Sequence, residues 1–190
     1  MGNYMTPELE IIKDFLTKTL EAVDSETAII CKREESGEFH GLDDFSNALY
    51  APMEREAIAI RAVFYEIYSL IEWELHNLAA EPYQLSTQNT STPRSATSIK
   101  FVYDMPIGKV QGLIERYYKI SFSDMPSFAE VDHIRHTVNA FKHRKGFKDF
   151  RRDKVSKIPE KFQPSRENAY QAIDDASTFL KALWNESKLR

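Results

Sequence analysis

The polar side chains best suited to chemistry in this sequence lie within one stretch, residues 131–143. On a helix with 100° between successive residues, one side of this stretch carries polar residues in line, at i, i+4, i+7 and i+11: Asp132, His136, Asn139 and His143. Arg135 and Lys142 lie at the edges of that side. Ordinary surface helices favour Glu, Lys, Gln and Ala, so this composition is not typical of a plain surface helix.

Three interpretations of this polar face are open. In the first, its side chains bond to loops and to one another, and the helix is structural. In the second, Asp132 and His136 bind a metal ion, since ligands can lie one turn apart. However, His136 and His143 are separated by about 10 Å of helix rise, and neither an HExxH motif nor a Cys partner accompanies them. In the third, the face handles a phosphate group of RNA or of a nucleotide.

The third interpretation gives each residue a chemical role. His143 would act as general acid or base near neutral pH. Arg135 would stabilise the charge that develops on a phosphate, by bidentate hydrogen bonding. Asn139, one turn before His143, would orient that histidine or the substrate. Because the sequence has no phosphate-binding loop, Rossmann fingerprint or nucleophile elbow, no cofactor is expected.

The charge distribution points to the segment that follows. The chain has a net charge of −4, but residues 142–161 carry +6, so the rest carries −10. Four cations at the start of this segment would hold an RNA backbone: Lys142, Arg144, Lys145 and Lys148. The alternative is a solvated loop whose charges pair with acidic neighbours.

The elements that must position these residues are predicted to be helical. A first helix is expected to about Val23, with a small irregular or β insertion near 25–40, where TAIIC (27–31) is rich in β-branched residues. Pro52 is expected to open a long helix and Pro82 to end it. Three further helices are expected to begin near Pro106, after Ser127 (a capping box with Glu130) and after Ser165.

The core is predicted from helical periodicity. The long helix carries an apolar stripe at helical spacing: Ile60, Phe64, Ile67, Ile71, Leu75 and Leu78. Trp73 is also interpreted as core. The apolar face of the 131–143 stretch consists of Val131, Ile134, Val138 and Phe141. Glu72 and Glu74 are acidic residues that could reach the polar helix, whereas His76 is interpreted as a histidine whose hydrogen bonds are satisfied.

These elements predict one all-α domain over residues 1–190, with a mobile polar loop at 84–98 and a basic loop at 145–164. No apolar run approaches the ~20 residues that a membrane span requires, so no membrane association is expected. The N-terminus lacks the pattern of a signal peptide, and Cys31 is the one cysteine. Both features predict a cytoplasmic protein.

The segment IRHTVNAFKHRKG (134–146) resembles the signature helix of the HEPN family, the helical nucleotide-binding domains of eukaryotes and prokaryotes. That signature is an Arg, commonly followed by a polar residue, and then a His near the end of the helix. The matching positions are Arg135, His136, Asn139, Lys142, His143 and Gly146. The Ala-rich segment 169–183 is similar to the closing helix of the family.

The resemblance implies a four- or five-helix up-and-down bundle that forms a homodimer. It also implies binding of RNA or a nucleotide, and metal-independent endoribonuclease activity in a toxin–antitoxin or phage-defence system, with an antitoxin or another protein as partner. Arg135, His136, Asn139 and His143 would be the catalytic residues. Seven residues separate Arg135 from His143, one more than the longest usual spacing. This spacing favours the alternative, a non-catalytic interaction module or scaffold.

Overall fold

The computed structural model describes residues 6–88, 102–144 and 163–188, and in these residues the fold is all-α. Five helices are present there: α1 (Thr6–Glu35), α2 (Leu42–Gln88), α3 (Ile107–Tyr118), α4 (Phe128–Arg144) and α5 (Arg166–Lys188). A 3₁₀ turn, Phe122–Asp124, precedes α4. The predicted all-α class is therefore confirmed.

The chain divides into two compact units. The first consists of Met1–Glu66 with Thr137–Ile173, and the second of Ile67–His136 with Asp174–Arg190. The boundaries fall inside α2, α4 and α5. Residues of one helix therefore belong to different units.

Helix α1 does not stop at Val23, and the strand considered at residues 27–31 is wrong because these residues are helical. Ile30 lies seven residues after Val23, on the same face of the helix, and both side chains are buried. Burial of this face outweighs the weak β preference of branched residues. Within residues 25–40, irregular backbone is confined to the turn after α1. There Gly37 has a φ of 76°, a conformation that glycine adopts without steric cost.

Helix α2 runs through both prolines, so the predicted start at Pro52 and end at Pro82 are wrong. A proline lacks the N–H group that would bond to the carbonyl four residues earlier. For Pro82 that carbonyl belongs to Leu78, and the Tyr118 hydroxyl donates to it at 3.4 Å. Because α2 extends to Gln88, residues 84–88 of the predicted polar loop are helical. The rest of that loop lies outside the described residues.

The predicted starts of the last three helices are confirmed, since α3 follows Pro106, α4 follows Ser127 and α5 follows Ser165. At α5 the cap is reciprocal. The Asn168 N–H donates to Ser165 Oγ at 3.2 Å, and the Ser165 N–H donates to Asn168 Oδ1 at 2.9 Å. Ser127 differs from an ordinary N-cap because its φ is 56°. Its hydroxyl donates to Asp175 Oδ1 at 3.3 Å.

The predicted apolar stripe of α2 is buried throughout. On α4, Val131, Ile134 and Val138 are buried and Phe141 is half-buried, as expected for a core-facing side. The assignment of Trp73 to the core is wrong, because its side chain is 57% exposed. In the second unit, the core includes three phenylalanine rings whose centroids lie 5.8–6.3 Å apart: Phe122, Phe128 and Phe179.

Candidate functional site

In the second unit, α4 brings Asp132, Arg135 and His136 together. Arg135 Nε donates to Asp132 Oδ1 at 2.8 Å, and Arg135 Nη2 lies 2.7 Å from the same oxygen. Residues three or four apart on a helix share a face, so this contact follows from the sequence spacing. The Arg135 and His136 side chains are each 29% exposed, so they remain accessible to a ligand.

Two neighbouring side chains place opposite requirements on His136 Nε2, because one needs it to accept a hydrogen bond and the other needs it to donate one. It lies 3.0 Å from Arg135 Nη2, which can only donate a hydrogen bond. It also lies 3.2 Å from Asp132 Oδ2, which accepts when the carboxyl is ionised. A neutral imidazole with its proton on Nδ1 accepts from Arg135, whereas an imidazolium, or a neutral imidazole with its proton on Nε2, donates to Asp132. Whether Nε2 carries a proton therefore decides which contact forms.

Helix α2 adds a tyrosine and a carboxylate, completing what we call the polar cluster: Tyr68, Glu72, Asp132, Arg135 and His136. The Tyr68 hydroxyl donates to Glu72 Oε1 at 3.4 Å. Burial, followed by the charge of Glu72, raises the pKa of Tyr68 to about 12, and the charge of Arg135 acts in the opposite direction. Tyr68 is therefore within electrostatic reach of the α4 residues.

Sequence reasoning considered Glu72 but missed Tyr68. The signal was present, because Tyr68 lies four residues before Glu72 on the same helix face. It was hidden because an aromatic residue beside the apolar stripe is ordinarily part of the core, and Tyr68 is indeed buried. Its hydroxyl distinguishes it from the neighbouring core residues.

The other predicted site residues on α4 belong to the first unit. Asn139 is half-buried and His143 is exposed. Lys142 is exposed, and its Nζ lies 5.5 Å from the centroid of the Tyr65 ring, a cation–π distance. Arg144 is the last residue of α4, and Lys145 and Lys148 lie outside the described residues, as does the predicted basic loop up to residue 162. The structure thus brings Arg135 and His136 together and places Asn139, Lys142 and His143 in the other unit.

Both ring nitrogens of His76 lie at hydrogen-bond distance from main-chain carbonyl oxygens, and the tautomer decides which carbonyl accepts the ring N–H. His76 is buried, with Nδ1 2.6 Å from the Glu72 carbonyl oxygen and Nε2 3.2 Å from that of Met105. Its ring stacks on Tyr103 with a centroid separation of 6.0 Å, and the Tyr103 hydroxyl donates to Asn77 Oδ1 at 2.7 Å. These contacts join α2 to the segment before α3 and identify His76 as a structural residue.

A cavity of about 310 Å³ lies elsewhere in the second unit, between the end of α3 and the last turns of α5. Its lining combines polar and apolar residues: Lys119, Ile120, Ser121, Asp124, Met125, Pro126, Ala182 and Glu186. None of the predicted site residues lines this cavity. The α4 residues of the polar cluster are instead partly exposed on the surface. Within the described ranges, no group of three or more His, Cys, Asp or Glu side chains is arranged to hold a metal ion.

No protein-family model, curated protein or solved structure matches this chain. In the parts of the chain that the structure describes, no helix combines the length and apolar content needed to cross a bilayer.

Proposed function

We propose that this protein binds RNA or a nucleotide through the polar face of α4 and cleaves RNA without a metal ion, as an HEPN-like protein. The observation that carries the proposal is the 3.0 Å contact between Arg135 and His136, both partly exposed and both beside Asp132. A guanidinium can neutralise a phosphate, and an imidazole can move a proton near neutral pH. Metal-free cleavage of RNA requires both abilities at one place.

Cleavage would begin with attack of the RNA 2′-oxygen on the adjacent phosphorus. The 2′-hydroxyl gives its proton to an imidazole while the new P–O bond forms. The bond to the 5′-oxygen breaks, and that oxygen takes up a proton, which leaves a 2′,3′-cyclic phosphate and a 5′-hydroxyl. Arg135 would stabilise the charge on the phosphorane.

Two imidazoles are assigned to proton transfer. His143 follows from the family signature, and His136 follows from its contacts with Arg135 and Asp132. Asn139 is assigned to orienting the substrate.

The remaining parts of the proposal rest on charge and on the resemblance. Lys142, Arg144, Lys145 and Lys148 would hold the RNA backbone by phosphate contacts. We also infer a homodimer that acts in the cytoplasm in a toxin–antitoxin or phage-defence system. An antitoxin would then be the protein partner.

A second function, that of a non-catalytic interaction module or scaffold, is favoured by one observation. Arg135 is already paired with Asp132 at 2.7 Å on its own helix. An arginine that serves only to stabilise its helix would make this contact. The two functions differ in whether Arg135 leaves Asp132 for a ligand.

The deciding experiment is cleavage of a mixed RNA pool by the purified protein with EDTA present. Arg135→Ala, His136→Ala and His143→Ala are each expected to lower the rate by about 10²-fold or more, as loss of a charge-stabilising or proton-transferring group does. His133→Ala is the matched control, since it removes an exposed histidine from the same helix. Enzymatic labelling of the new 5′-hydroxyl ends without phosphatase treatment checks the chemistry.

Each pattern of results has a definite meaning. Cleavage by the wild type and by His133→Ala alone supports the ribonuclease. Activity that survives His143→Ala but not His136→Ala assigns proton transfer to His136. Absence of both cleavage and RNA binding in the wild type would reject the proposal in favour of the interaction module.

A further inference from the structure

Arg135 cannot offer the edge formed by Nε and Nη2 to a phosphate while both nitrogens contact Asp132. Nε and Nη2, the two nitrogens of one guanidinium edge, both lie within 2.8 Å of Asp132 Oδ1. This is an edge that a guanidinium uses to bind a phosphate with two parallel hydrogen bonds. A phosphate that binds to this edge therefore displaces the carboxylate, which then loses its guanidinium partner.

His136 is placed to take the place of that partner. Its Nε2 lies 3.2 Å from Asp132 Oδ2, so an imidazolium can donate there. The same proton prevents Nε2 from accepting the Arg135 hydrogen bond at 3.0 Å. Two like charges then lie side by side, and their repulsion favours movement of the Arg135 head group into solvent. Protonation of His136 thus removes a hydrogen bond that holds Arg135 in place, and it supplies a positive charge beside the Asp132 carboxylate.

We propose that binding of a phosphodiester at Arg135 is coupled to the uptake of one proton by His136. Arg135 exchanges the Asp132 carboxylate for the phosphodiester, and Asp132 exchanges the guanidinium for the imidazolium. The proton comes from solvent, and Arg135 and Asp132 each have an oppositely charged partner both before and after the exchange. Because the ligand is an RNA phosphodiester, this inference rests on the proposed function.

The charged groups that face His136 are compatible with this exchange. On α4 they are Asp132 and Arg135. Helix α2 adds Tyr68, whose pKa responds to the charges of both residues, and Glu72, which accepts from the Tyr68 hydroxyl. The carboxylate of Asp132, 3.2 Å from Nε2, favours positive charge on the imidazole. The pKa of Tyr68 is raised to about 12, so its hydroxyl stays neutral near neutral pH. The imidazole is therefore the group in the polar cluster that is suited to change its charge there.

The test uses a fluorescent 2′-O-methyl RNA hexamer, which cannot undergo 2′-oxygen attack and whose diester charges do not titrate near neutral pH. Its affinity for the full chain is measured at constant salt from about pH 5.5 to 8.5. Uptake of one proton predicts that the dissociation constant rises by up to about tenfold per pH unit where the imidazole of the free protein is neutral. Calorimetry in two buffers of different ionisation enthalpy counts the proton directly.

Two substitutions and two controls identify the residues. His136→Gln should remove most of the pH dependence, because its amide does not titrate in this range. Asp132→Asn should strengthen binding at pH 8.5 by more than Glu130→Gln, which removes the same charge from an exposed position in the first turn of α4. His133→Gln should keep the pH dependence of the wild type.

The outcomes separate the coupling from the proposed function. Hexamer binding whose pH dependence survives His136→Gln would overturn the coupling and leave RNA binding intact. No binding at any pH would overturn both. In the protein without RNA, ¹⁵N NMR at alkaline pH should show the His136 proton on Nδ1, and a proton on Nε2 would overturn the exchange whatever the RNA result.

Discussion

Two histidines of the second unit illustrate two ways in which a protein can use an imidazole. His76 is buried, and both of its ring nitrogens lie against main-chain carbonyl oxygens. His136 is partly exposed, and its Nε2 faces the mobile charged ends of Asp132 and Arg135. Carbonyls fixed by helix and turn geometry cannot exchange partners, whereas side-chain charges can. The first arrangement therefore supports the fold, and the second is suited to chemistry.

The strongest test of the difference between the two histidines is His76→Phe, which keeps an aromatic ring at this position but removes both ring nitrogens. We expect the free energy of unfolding to fall by about 2–3 kcal/mol, because the part-buried hydrogen bond from the ring N–H to a main-chain carbonyl, that of Glu72 or of Met105, is lost. RNA affinity at equal folded fraction should not change. Denaturant unfolding followed by circular dichroism measures the first quantity, and hexamer binding measures the second.

The control for this prediction is His136→Phe, which should show the reverse pattern. Stability should change by less than about 1 kcal/mol, since the Asp132–Arg135 contact remains and the site is partly exposed. RNA binding at acidic pH should be lost. If both variants lost stability equally, the distinction between the two histidines would be wrong.

Tyr68 sharpens the comparison because it belongs both to the core and to the polar cluster. Its pKa is raised from 10.0 to about 12 in the folded protein, so its contribution to stability is complete below pH 10 and is lost as the pH rises through 12. We expect the wild type to lose about 1–2 kcal/mol more than Tyr68→Phe between pH 9 and pH 11. Denaturant unfolding at pH 9, 10 and 11 checks this, and parallel curves for the two proteins would contradict it.

Thr137 gives the smallest expected effect. It directly follows His136, and its buried Oγ1 lacks a hydrogen-bond partner among the described residues. An unsatisfied buried hydroxyl costs free energy, so isosteric Thr137→Val should raise the free energy of unfolding by about 1 kcal/mol or less. Thr137→Ser, which keeps the hydroxyl and removes the methyl group, is the control and should destabilise. Loss of stability in Thr137→Val would mean that the hydroxyl has a partner.

Much of the fold followed from sequence because its signals are local. The apolar stripe of α2 and the Ser165 cap were both predicted, since periodicity and capping depend on residues within a turn or two. The ends of α1 and α2 were not predicted. They depend on burial of Ile30 and on a hydroxyl that comes from Tyr118, and long-range packing of this kind cannot be read from a local window.

The candidate site was predictable in part for the same reason. The spacing of Asp132, Arg135 and His136 places them on neighbouring parts of one helix face, and the structure shows their mutual contacts. The identity of the residues that α2 brings to them, Tyr68 above all, required the fold. Whether these groups act on RNA depends on a ligand, and sequence spacing alone cannot supply that information.

The contact between Tyr118 and Leu78 has a consequence for sequence variation. Pro82 lacks the N–H group that would bond to the Leu78 carbonyl, and the hydroxyl of Tyr118, forty positions after Leu78, donates to that carbonyl instead. The two positions therefore form a pair in the evolutionary sense. A lineage that replaced Pro82 by a residue with an N–H group would be free to lose the hydroxyl at position 118, whereas the opposite order of substitutions would pass through an intermediate with an orphaned carbonyl.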